Sequence, residues 1–344
     1  MGLACEGGRT RSVVMPSDVP FAYSIQPEPH RERGAAILSA HPELRRLAGP
    51  EPLTGLVIIA SVGLQTAIAL KLALLPWWAI LLAAYTVGAV LNLGCWALIH
   101  EGSHNLIGRS ARVNKLWSIA ANLPILVPAA ATFRVFHLHH HRHQGDPRWD
   151  MDMPLAEEVR LVGASPLRKA VWLALFMPLQ VVRATKAPHI RIMGAWPWLN
   201  IGACTVYAGV LFAARGPAPV AYLLLSSWFA MGLHPLGARW VQEHFTLRPG
   251  QETNSYYGPA NRLVFNCGYH NEHHDLPGIA WMHLPAVRRT AREFYDPLFS
   301  VHSWTALLWH FLTSRELSLD CRIARNDGLA KSSLADASEL RKAA

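Results

Sequence analysis

Long apolar runs alternate with polar segments along this chain, and the apolar runs come in two pairs. Residues 53–75 carry one charge, Lys71, and residues 76–99 carry none. The second pair, 196–214 and 219–241, is joined by the helix-breaking stretch RGPAP. Each run is close to the roughly 20 residues that a helix needs to cross the hydrocarbon core of a bilayer. The pattern therefore predicts four transmembrane helices in two hairpins.

Two further apolar stretches are shorter and contain proline. Residues 116–131 are interrupted by Pro124 and Pro128, and residues 171–182 contain Pro178. Such stretches favour interfacial or re-entrant segments over membrane spans. The chain is thus predicted to consist of an N-terminal segment (1–52), a first hairpin (53–99) and a middle segment with interfacial helices (100–195). A second hairpin (196–241), a third polar segment (242–325) and a polar tail (326–344) follow.

Composition and charge place this architecture in a membrane. Hydrophobic residues make up 51% of the chain, and charged residues only 16%, against roughly 25% in soluble proteins. The net charge is +9, and arginine concentrates before the first hairpin, between the hairpins and after the second. By the positive-inside rule, both termini and the middle segment face the cytoplasm. This basic excess indicates membrane-flanking loops, so no nucleic-acid partner is expected. Because no apolar h-region opens the chain, we expect no cleavable signal peptide.

Histidine is the unusual residue type, because many of the 18 copies fall into three clusters: HEGSH, FHLHHHRHQGD and GYHNEHHDLPG. Within each cluster, histidines recur at the i, i+3 or i+4 spacing that places side chains on one helix face. Eight imidazoles follow this rule: His100, His104, His137, His140, His141, His270, His273 and His274. Imidazole binds iron, copper, nickel and zinc, and a single zinc ion takes four ligands. Eight imidazoles are too many for one such ion and enough for two metal ions.

The predicted topology places all three clusters on the cytoplasmic side. His244, just beyond the fourth apolar run, is a candidate ninth ligand. His139 and His143 project away from the face of their cluster, and His234 and His30 are interpreted as packing or surface residues. Histidine ligands usually donate their second N–H to a carboxylate or a carbonyl. The acids beside the clusters are candidates for this outer role: Glu101, Asp150, Asp152, Glu243, Glu272 and Asp275.

Two other interpretations of the histidines stay open at this point. HEGSH matches the H-E-x-x-H pattern of zinc proteases, but a protease would leave the other clusters without a role. A metal transporter would place its ligands near the middle of the membrane, whereas most of these histidines lie outside the apolar runs.

The longer motifs resemble the membrane fatty-acid desaturase superfamily, and in particular the sphingolipid 4-desaturases (dihydroceramide desaturases). The similarity covers about residues 20–325. The motifs that carry it are PHRERGAAILSAHPEL near the N-terminus, HEGSHN at 100–105, HHRHQGDPRWDMDMP at 140–154, GLHP at 232–235 and SYYGPANRLVFNCGYHNEHHDLPGI at 255–279. His139, His143 and Arg239 depart from the family pattern.

The resemblance implies the fold, the cofactor and the reaction. The expected fold is an all-α integral membrane protein whose two hairpins carry a cytoplasmic helical cap with a di-metal site. The expected cofactor is a pair of iron ions that use O2 as co-substrate to insert a double bond into the alkyl chain of a lipid. The expected lipid is a sphingolipid of the dihydroceramide type, or otherwise a fatty acyl lipid. The electrons are expected from an external donor, cytochrome b5 or a ferredoxin-type protein. A di-iron lipid hydroxylase is the near alternative, and the membrane is a bacterial inner membrane or the endoplasmic reticulum.

Overall fold

The computed structural model describes residues 20–187 and 189–325. The expectations about a signal peptide at the N-terminus and a polar tail at 326–344 lie outside the described residues. The helices are α1 (His30–Ala40), α2 (Leu53–Leu72), α3 (Trp77–Ala83), α4 (Ala89–Ser103), α5 (Ala111–Asn122), α6 (Ala130–Arg142), α7 (Ala156–Val162), α8 (Pro166–Ala174), α9 (Phe176–Thr185), α10 (Ala195–Arg215), α11 (Ala218–Met231), α12 (Arg239–His244), α13 (His270–Asp275), α14 (Leu284–Thr290), α15 (Arg292–Tyr295) and α16 (Trp304–Thr313). The strands are β1 (Ala22–Tyr23), β2 (Ser255–Tyr256), β3 (Ser300–Val301) and β4 (Ile323–Ala324).

Four helical segments of the described chain are long and apolar enough to cross a membrane. The first and third are α2 and α10. The second is the continuous helix formed by α3, the π turn Ala84–Gly88 and α4, and the fourth is α11 with its extension to His244. Large apolar side chains on their outer faces stay exposed, as on Leu56 and Val206, which suits contact with lipid. The predicted all-α membrane fold with four spanning helices is confirmed.

The fourth apolar run, predicted as one span over 219–241, lies within the candidate span Ala218–His244, which a 3-10 turn interrupts. Helix α11 ends at Met231, and a 3-10 turn at Pro235–Ala238 precedes α12. Pro235 has no N–H to donate to a helix, and Nδ1 of His234 accepts from the Leu236 N–H at 3.1 Å and caps the turn instead. Gly237 must be a glycine, because a Cβ there would lie 1.9 Å from the Gly232 carbonyl oxygen. After this turn, α12 ends at His244, whose ring lies beside those of His140 and His270.

The two proline-containing stretches also form broken helices. Helix α5 continues to Ile125, and the chain then bends by 115° into α6. The Asn122 side chain holds this bend, because its Oδ1 accepts from the N–H groups of Ala129 and Ala130, each at 2.9 Å. The bent pair is either one broken span or a re-entrant loop by length and composition. In both cases α6 starts beside the membrane bundle and carries the second histidine cluster. Residues 171–182 divide between α8 and α9.

A buried polar network joins the spanning helices beside the π turn. The Gln65 side-chain amide donates to the Gly88 carbonyl at 3.2 Å and to Asn92 Oδ1 at 3.0 Å. Tyr222 donates to Gln65 Oε1 at 2.9 Å, and Asn92 donates to Ser227 Oγ at 2.8 Å. The side chains of this network are fully buried. In a bilayer each of these groups needs a partner inside the protein, so the network fixes how α2, α4 and α11 pack.

Gln65→Leu is expected to destabilise this bundle by about 1–3 kcal/mol, because it leaves buried groups of Asn92 and Tyr222 without their partner. The measurement is the unfolding midpoint of the purified protein in detergent. Thr86→Val is the control, because the Thr86 hydroxyl donates to the Leu82 carbonyl of its own helix and bonds to no other helix among the described residues. Equal midpoints for the two variants would show that the network adds no stability.

Two short parallel ladders join distant segments, and one of them pairs the two ends of the described chain. β1 pairs with β4, and β2 pairs with β3. Next to β4, the guanidinium of Arg325 forms a buried ion pair with Glu252 at 2.5–2.6 Å, and its backbone N–H donates to the Gly145 carbonyl at 2.7 Å. The loop after α6 is thereby tied to the segment that precedes β2.

Candidate metal centre

Four separate helix segments deliver histidines to one place. His100 and His104 lie at the end of α4, the second cluster lies on the last turns of α6, His244 ends α12, and α13 carries the third cluster. All nine predicted histidines are inside the protein or partly so, with His140 1% exposed and His273 3% exposed. The structure therefore brings together every histidine predicted as a ligand.

Five of these histidines form the first set. Their nearest ring nitrogens all lie within 4.8 Å of one another. Nε2 of His137 lies 2.8 Å from Nε2 of His104 and 3.1 Å from Nε2 of His141. Nε2 of His141 lies 3.0 Å from Nε2 of His273. The members of this set are His100, His104, His137, His141 and His273.

The other four histidines form the second set. The ring nitrogens of His140, His244 and His274 lie within 4.8 Å of one another. His244 is central, because its Nε2 is 2.9 Å from Nε2 of His140 and 2.9 Å from Nε2 of His270.

The two sets divide the clusters by position on the helix. On α6, His137 and His141 are four residues apart and join the first set, while His140 turns to the second. On α13 the division is reversed, because His270 and His274 join the second set and His273 the first. Each of these helices therefore lies between the two sets and supplies both.

Both sets have the geometry that a metal ion requires, and the pKa shifts favour the neutral ring in most of them. His140 is the exception, because Asp150 and Asp152 outweigh the effect of burial and raise its pKa to about 9, so a metal ion would have to displace its proton. Two nitrogens bound to one ion at about 2.1 Å and at right angles lie about 3.0 Å apart, as several pairs here do. Burial, with the neighbouring histidines, lowers the pKa of His270, His273 and His274 well below the usual range, so these rings are neutral, as ligands must be. The buried Nε2 of His274 has no hydrogen-bond partner within the described residues. A metal ion would satisfy it, so the residues fit a pair of metal ions.

Four of the six candidate acids lie beside ring nitrogens of these histidines. Asp150 Oδ1 is 2.8 Å from Nδ1 of His140, and Asp152 approaches the same nitrogen to 3.7 Å. Glu101 is 3.5 Å from Nδ1 of its neighbour His100. Burial alone would raise the pKa of Asp150, but the contact with His140 outweighs it and lowers this pKa below the usual range. Asp150 is thus held as a carboxylate against the ring.

The carboxylate of Glu243 lies between a predicted ligand ring and an arginine. Its Oε1 lies 3.8 Å from Nδ1 of His270 and 2.5 Å from the guanidinium of Arg239. The guanidinium carbon of Arg239 also lies over the ring of Trp240, 4.1 Å from the ring centre. The ion pair with Arg239 is therefore the closer contact of this carboxylate.

The other two candidate acids contact none of the predicted ligand rings. Glu272 accepts from Ser255 Oγ at 2.7 Å and from Tyr257 OH at 2.6 Å, and burial raises its pKa to about 7. Its position in α13 points it away from the face that carries the histidines. Asp275 binds His30 and Arg33 of helix α1.

His30 is the residue whose interpretation changes most. The sequence suggested an ordinary packing or surface position, yet His30 is 2% exposed and its ring lies 4.8 Å from that of His274. Thr253, also buried, contacts both His30 and His244. No spacing signal links these residues to the clusters, because more than 200 positions separate His30 from its partners; only its place within the N-terminal motif could have pointed to it.

The histidines that were set aside lie outside both sets. His139 and His143 stack against Trp149, with ring centres 5.3 Å and 5.5 Å from it. His234 caps its 3-10 turn and contacts the edge of Tyr85.

An apolar cavity of about 350 Å³ opens beside the two sets. Its wall includes His100, His137 and His273 of the first set and His140 and His270 of the second. Most of the remaining wall is apolar and comes from six helices (α4, α6, α9, α11, α12 and α14) and from the loops near them, with Trp96, Phe133, Met177, Met231 and Phe265 among its larger side chains. A cavity of this size and lining suits an alkyl chain.

Comparisons with known proteins agree with this geometry. The family model described as fatty acid desaturase matches residues 75–306, and the one described as sphingolipid Delta4-desaturase matches residues 19–53. The chain is 38% identical to "Sphingolipid delta(4)-desaturase DES1-like" of Oryza sativa subsp. japonica, over 94% of this chain and 98% of the relative. It is 37% identical to "Sphingolipid delta(4)-desaturase/C4-monooxygenase DES2" of Homo sapiens, over 92% of this chain and 98% of the relative. It is 36% identical to "Sphingolipid delta(4)-desaturase DES1" of Drosophila melanogaster, over 91% of this chain and 98% of the relative.

The fatty acid desaturase match spans the second run of the first hairpin, the whole second hairpin and all three histidine clusters, and the relatives cover more than 90% of the chain. The chain belongs to the fatty acid desaturase family, within the group of the sphingolipid delta(4)-desaturases.

Proposed function

We propose that this protein is an O2-dependent di-iron lipid desaturase, and that its substrate is a sphingolipid of the dihydroceramide type. The observation that carries the proposal is the convergence of nine histidines in two sets on the wall of one apolar cavity. The names of the relatives support the sphingolipid over a simple fatty acyl lipid.

The reaction removes two hydrogens from adjacent carbons of an unactivated alkyl chain. Side-chain acids and bases cannot deprotonate such carbons, so the cofactor must supply the oxidising power, which iron provides with O2. One O2, two electrons and two protons are consumed for each double bond, and the two hydrogens taken from the lipid leave in two molecules of water. The electrons would come from a separate donor, cytochrome b5 or a ferredoxin-type protein.

The protein's own residues would bind the two irons, orient the ligand rings and exclude water. The five histidines of the first set would hold one iron and the four of the second set the other. Asp150 fixes the ring of His140 by accepting from its Nδ1 at 2.8 Å, which leaves Nε2 free to bind. Phe133 stacks on the ring of His137, with centres 5.0 Å apart, and covers the ligand from the cavity side. The apolar wall admits a hydrocarbon and keeps bulk water from the metal pair.

The orientation in the membrane follows from charge. Arginine-rich segments lie before the first hairpin, between the hairpins and after the second, so both termini and the metal centre would face the cytoplasm. The cytoplasmic side would then carry the cap and a basic surface that attracts an acidic electron donor. The membrane would be a bacterial inner membrane or the endoplasmic reticulum.

A lipid hydroxylase is the second candidate, because the human relative is named as both a desaturase and a C4-monooxygenase. Both reactions need the same metals and the same cavity, and they differ in whether the second hydrogen is removed or a hydroxyl is added. A zinc protease of the H-E-x-x-H type is less well supported, because it would use only the histidines at 100 and 104.

The deciding experiment is lipid analysis of cells that lack sphingolipid desaturation and express this protein, fed saturated sphingoid and fatty-acyl precursors. A new alkene in the sphingoid chain supports the proposal. An alcohol supports the hydroxylase, and an alkene found only in fatty acyl lipids would refute the substrate. Iron and zinc are counted in the purified protein, with two irons per chain expected.

The cavity makes its own prediction. Ala97 lies one helical turn before His100 and lines the cavity, so Ala97→Phe should fill the space in which the alkyl chain would bind. We expect KM for the lipid to rise about tenfold, equivalent to about 1.4 kcal/mol, with no loss of iron. Val87→Phe is the matched control, because Val87 lies on the same spanning helix and is 46% exposed on its outer face. A KM unaffected by Ala97→Phe would place the substrate elsewhere.

A further inference from the structure

Helix α1, near the N-terminus, lies directly against the third histidine cluster. His30 Nδ1 is 2.7 Å from Asp275 Oδ1, and Arg33 binds both oxygens of the same carboxylate at 2.7 and 2.8 Å. Gly34 allows this close approach, because a Cβ there would lie 2.2 Å from the Asp275 carbonyl oxygen. Helix α1 and the end of α13 therefore hold each other in one position.

Both ring nitrogens of His30 are engaged, so it is not a tenth ligand. Nδ1 faces the carboxylate of Asp275, which can only accept, so Nδ1 carries the proton. Arg33 Nη2 also lies 3.1 Å from this nitrogen, but it has Asp275 and Asn271 as acceptors at 2.8 and 2.9 Å. In the neutral ring Nε2 is then an acceptor, and the Thr253 hydroxyl lies 2.8 Å from it.

Thr253 continues the chain of hydrogen bonds to the metal centre. Its hydroxyl donates to His30, so both lone pairs of its oxygen are available as acceptors. Gln144 donates to that oxygen at 3.3 Å, and Nδ1 of His244 lies 3.4 Å from it. His244 Nδ1 is thereby assigned as the protonated nitrogen. The lone pair of its Nε2 then points to the second set, where Nε2 atoms of His140 and His270 are each 2.9 Å away.

We propose that His30 is a positioning residue of the metal centre, which acts through Thr253 to fix the tautomer and the orientation of His244. The relay runs from Asp275 through His30 and Thr253 to His244, and every member is less than 9% exposed. Outer partners of this kind typically change metal affinity or activity about 10–100-fold. The N-terminal segment that matches the sphingolipid Delta4-desaturase model would then complete the second metal site.

This inference rests on the proposed function, since it takes His244 to be an iron ligand. The experiment compares full-length wild type with His30→Phe, Thr253→Val, Thr253→Ser and the double variant His30→Phe/Thr253→Val, each loaded anaerobically with ferrous iron in detergent. The readouts are iron per chain, the rate at which a chelator removes it, and the Mössbauer spectrum. His41→Phe is the control, because His41 directly follows α1 but binds the exposed Glu293 instead of a residue of the relay.

We expect His30→Phe and Thr253→Val each to release one of the two irons about tenfold faster than wild type, with a changed Mössbauer signal for that iron only. Thr253→Ser should behave as wild type, because it keeps the hydroxyl. The double variant should be no worse than the worse single variant, because both changes cut the same relay. His41→Phe should have no effect.

Each other outcome points to a distinct failure. Wild-type release rates in both single variants, or additive effects in the double variant, would overturn the relay while leaving the di-iron proposal intact. A wild-type protein that holds no iron would refute the proposed function itself. If His30→Phe does not fold, Thr253→Val decides, because it leaves the contacts of His30 and Arg33 with Asp275 in place.

Discussion

His140→Ala is expected to abolish lipid desaturation and to leave the protein with at most one firmly bound iron. The His140 ring is 1% exposed, its Nδ1 is held by Asp150, and its Nε2 lies 2.9 Å from that of His244. Its removal takes one of four nitrogens from the second set and leaves Asp150 as a buried charge without its partner. The loss should exceed the roughly 100-fold that outer partners can contribute. Product analysis and iron counting measure it.

His139→Ala is the matched control for this change, because it removes the same side chain from the neighbouring position. His139 stacks on Trp149 and contributes no nitrogen to either set. Its loss should leave iron content and product yield close to wild type. If both variants lost iron to the same extent, the division of α6 into a metal-binding face and an outer face would be wrong.

Asp150→Asn is expected to lower iron affinity and turnover about 10–100-fold. The carboxylate accepts from His140 Nδ1 at 2.8 Å and from the Gly145 N–H at 2.8 Å. An amide of the same size keeps a weaker acceptor but loses the negative charge that orients the ring and makes its Nε2 more basic. Chelator competition gives the affinity, and single-turnover product formation gives the rate.

Asp146→Asn provides the comparison for Asp150→Asn. Asp146 is equally buried in the same loop, but it binds the exposed Arg148 instead of a ligand ring. An ion pair with an exposed arginine contributes little, so iron binding should be nearly unchanged. Equal losses in the two variants would mean that the loop's fold, and not the carboxylate beside His140, controls the metal.

Local patterns were enough to predict the membrane fold and to select the histidines that converge in the structure. Apolar run length predicts a spanning helix because the thickness of the hydrocarbon core sets that length. The i, i+3 and i+4 spacing predicts which imidazoles share a face because the helix repeat is fixed. Both are properties of short stretches of chain, so neither depends on how distant segments pack. The fourth span is also present, as Ala218–His244, and the feature that local patterns did not predict is the 3-10 turn at Pro235–Ala238 within it.

Tertiary structure alone decided how those histidines are shared and what supports them. The sequence grouped them by cluster, but α6 and α13 lie between the two sets, so each cluster divides between both. Glu272 lay beside its cluster in sequence yet turns to Ser255 and Tyr257. His30 lay far from every cluster in sequence and reaches Thr253 only because α1 packs on α13. Spacing along one helix determines which side chains share a face, whereas the meeting of side chains from four helices depends on packing that no local pattern records.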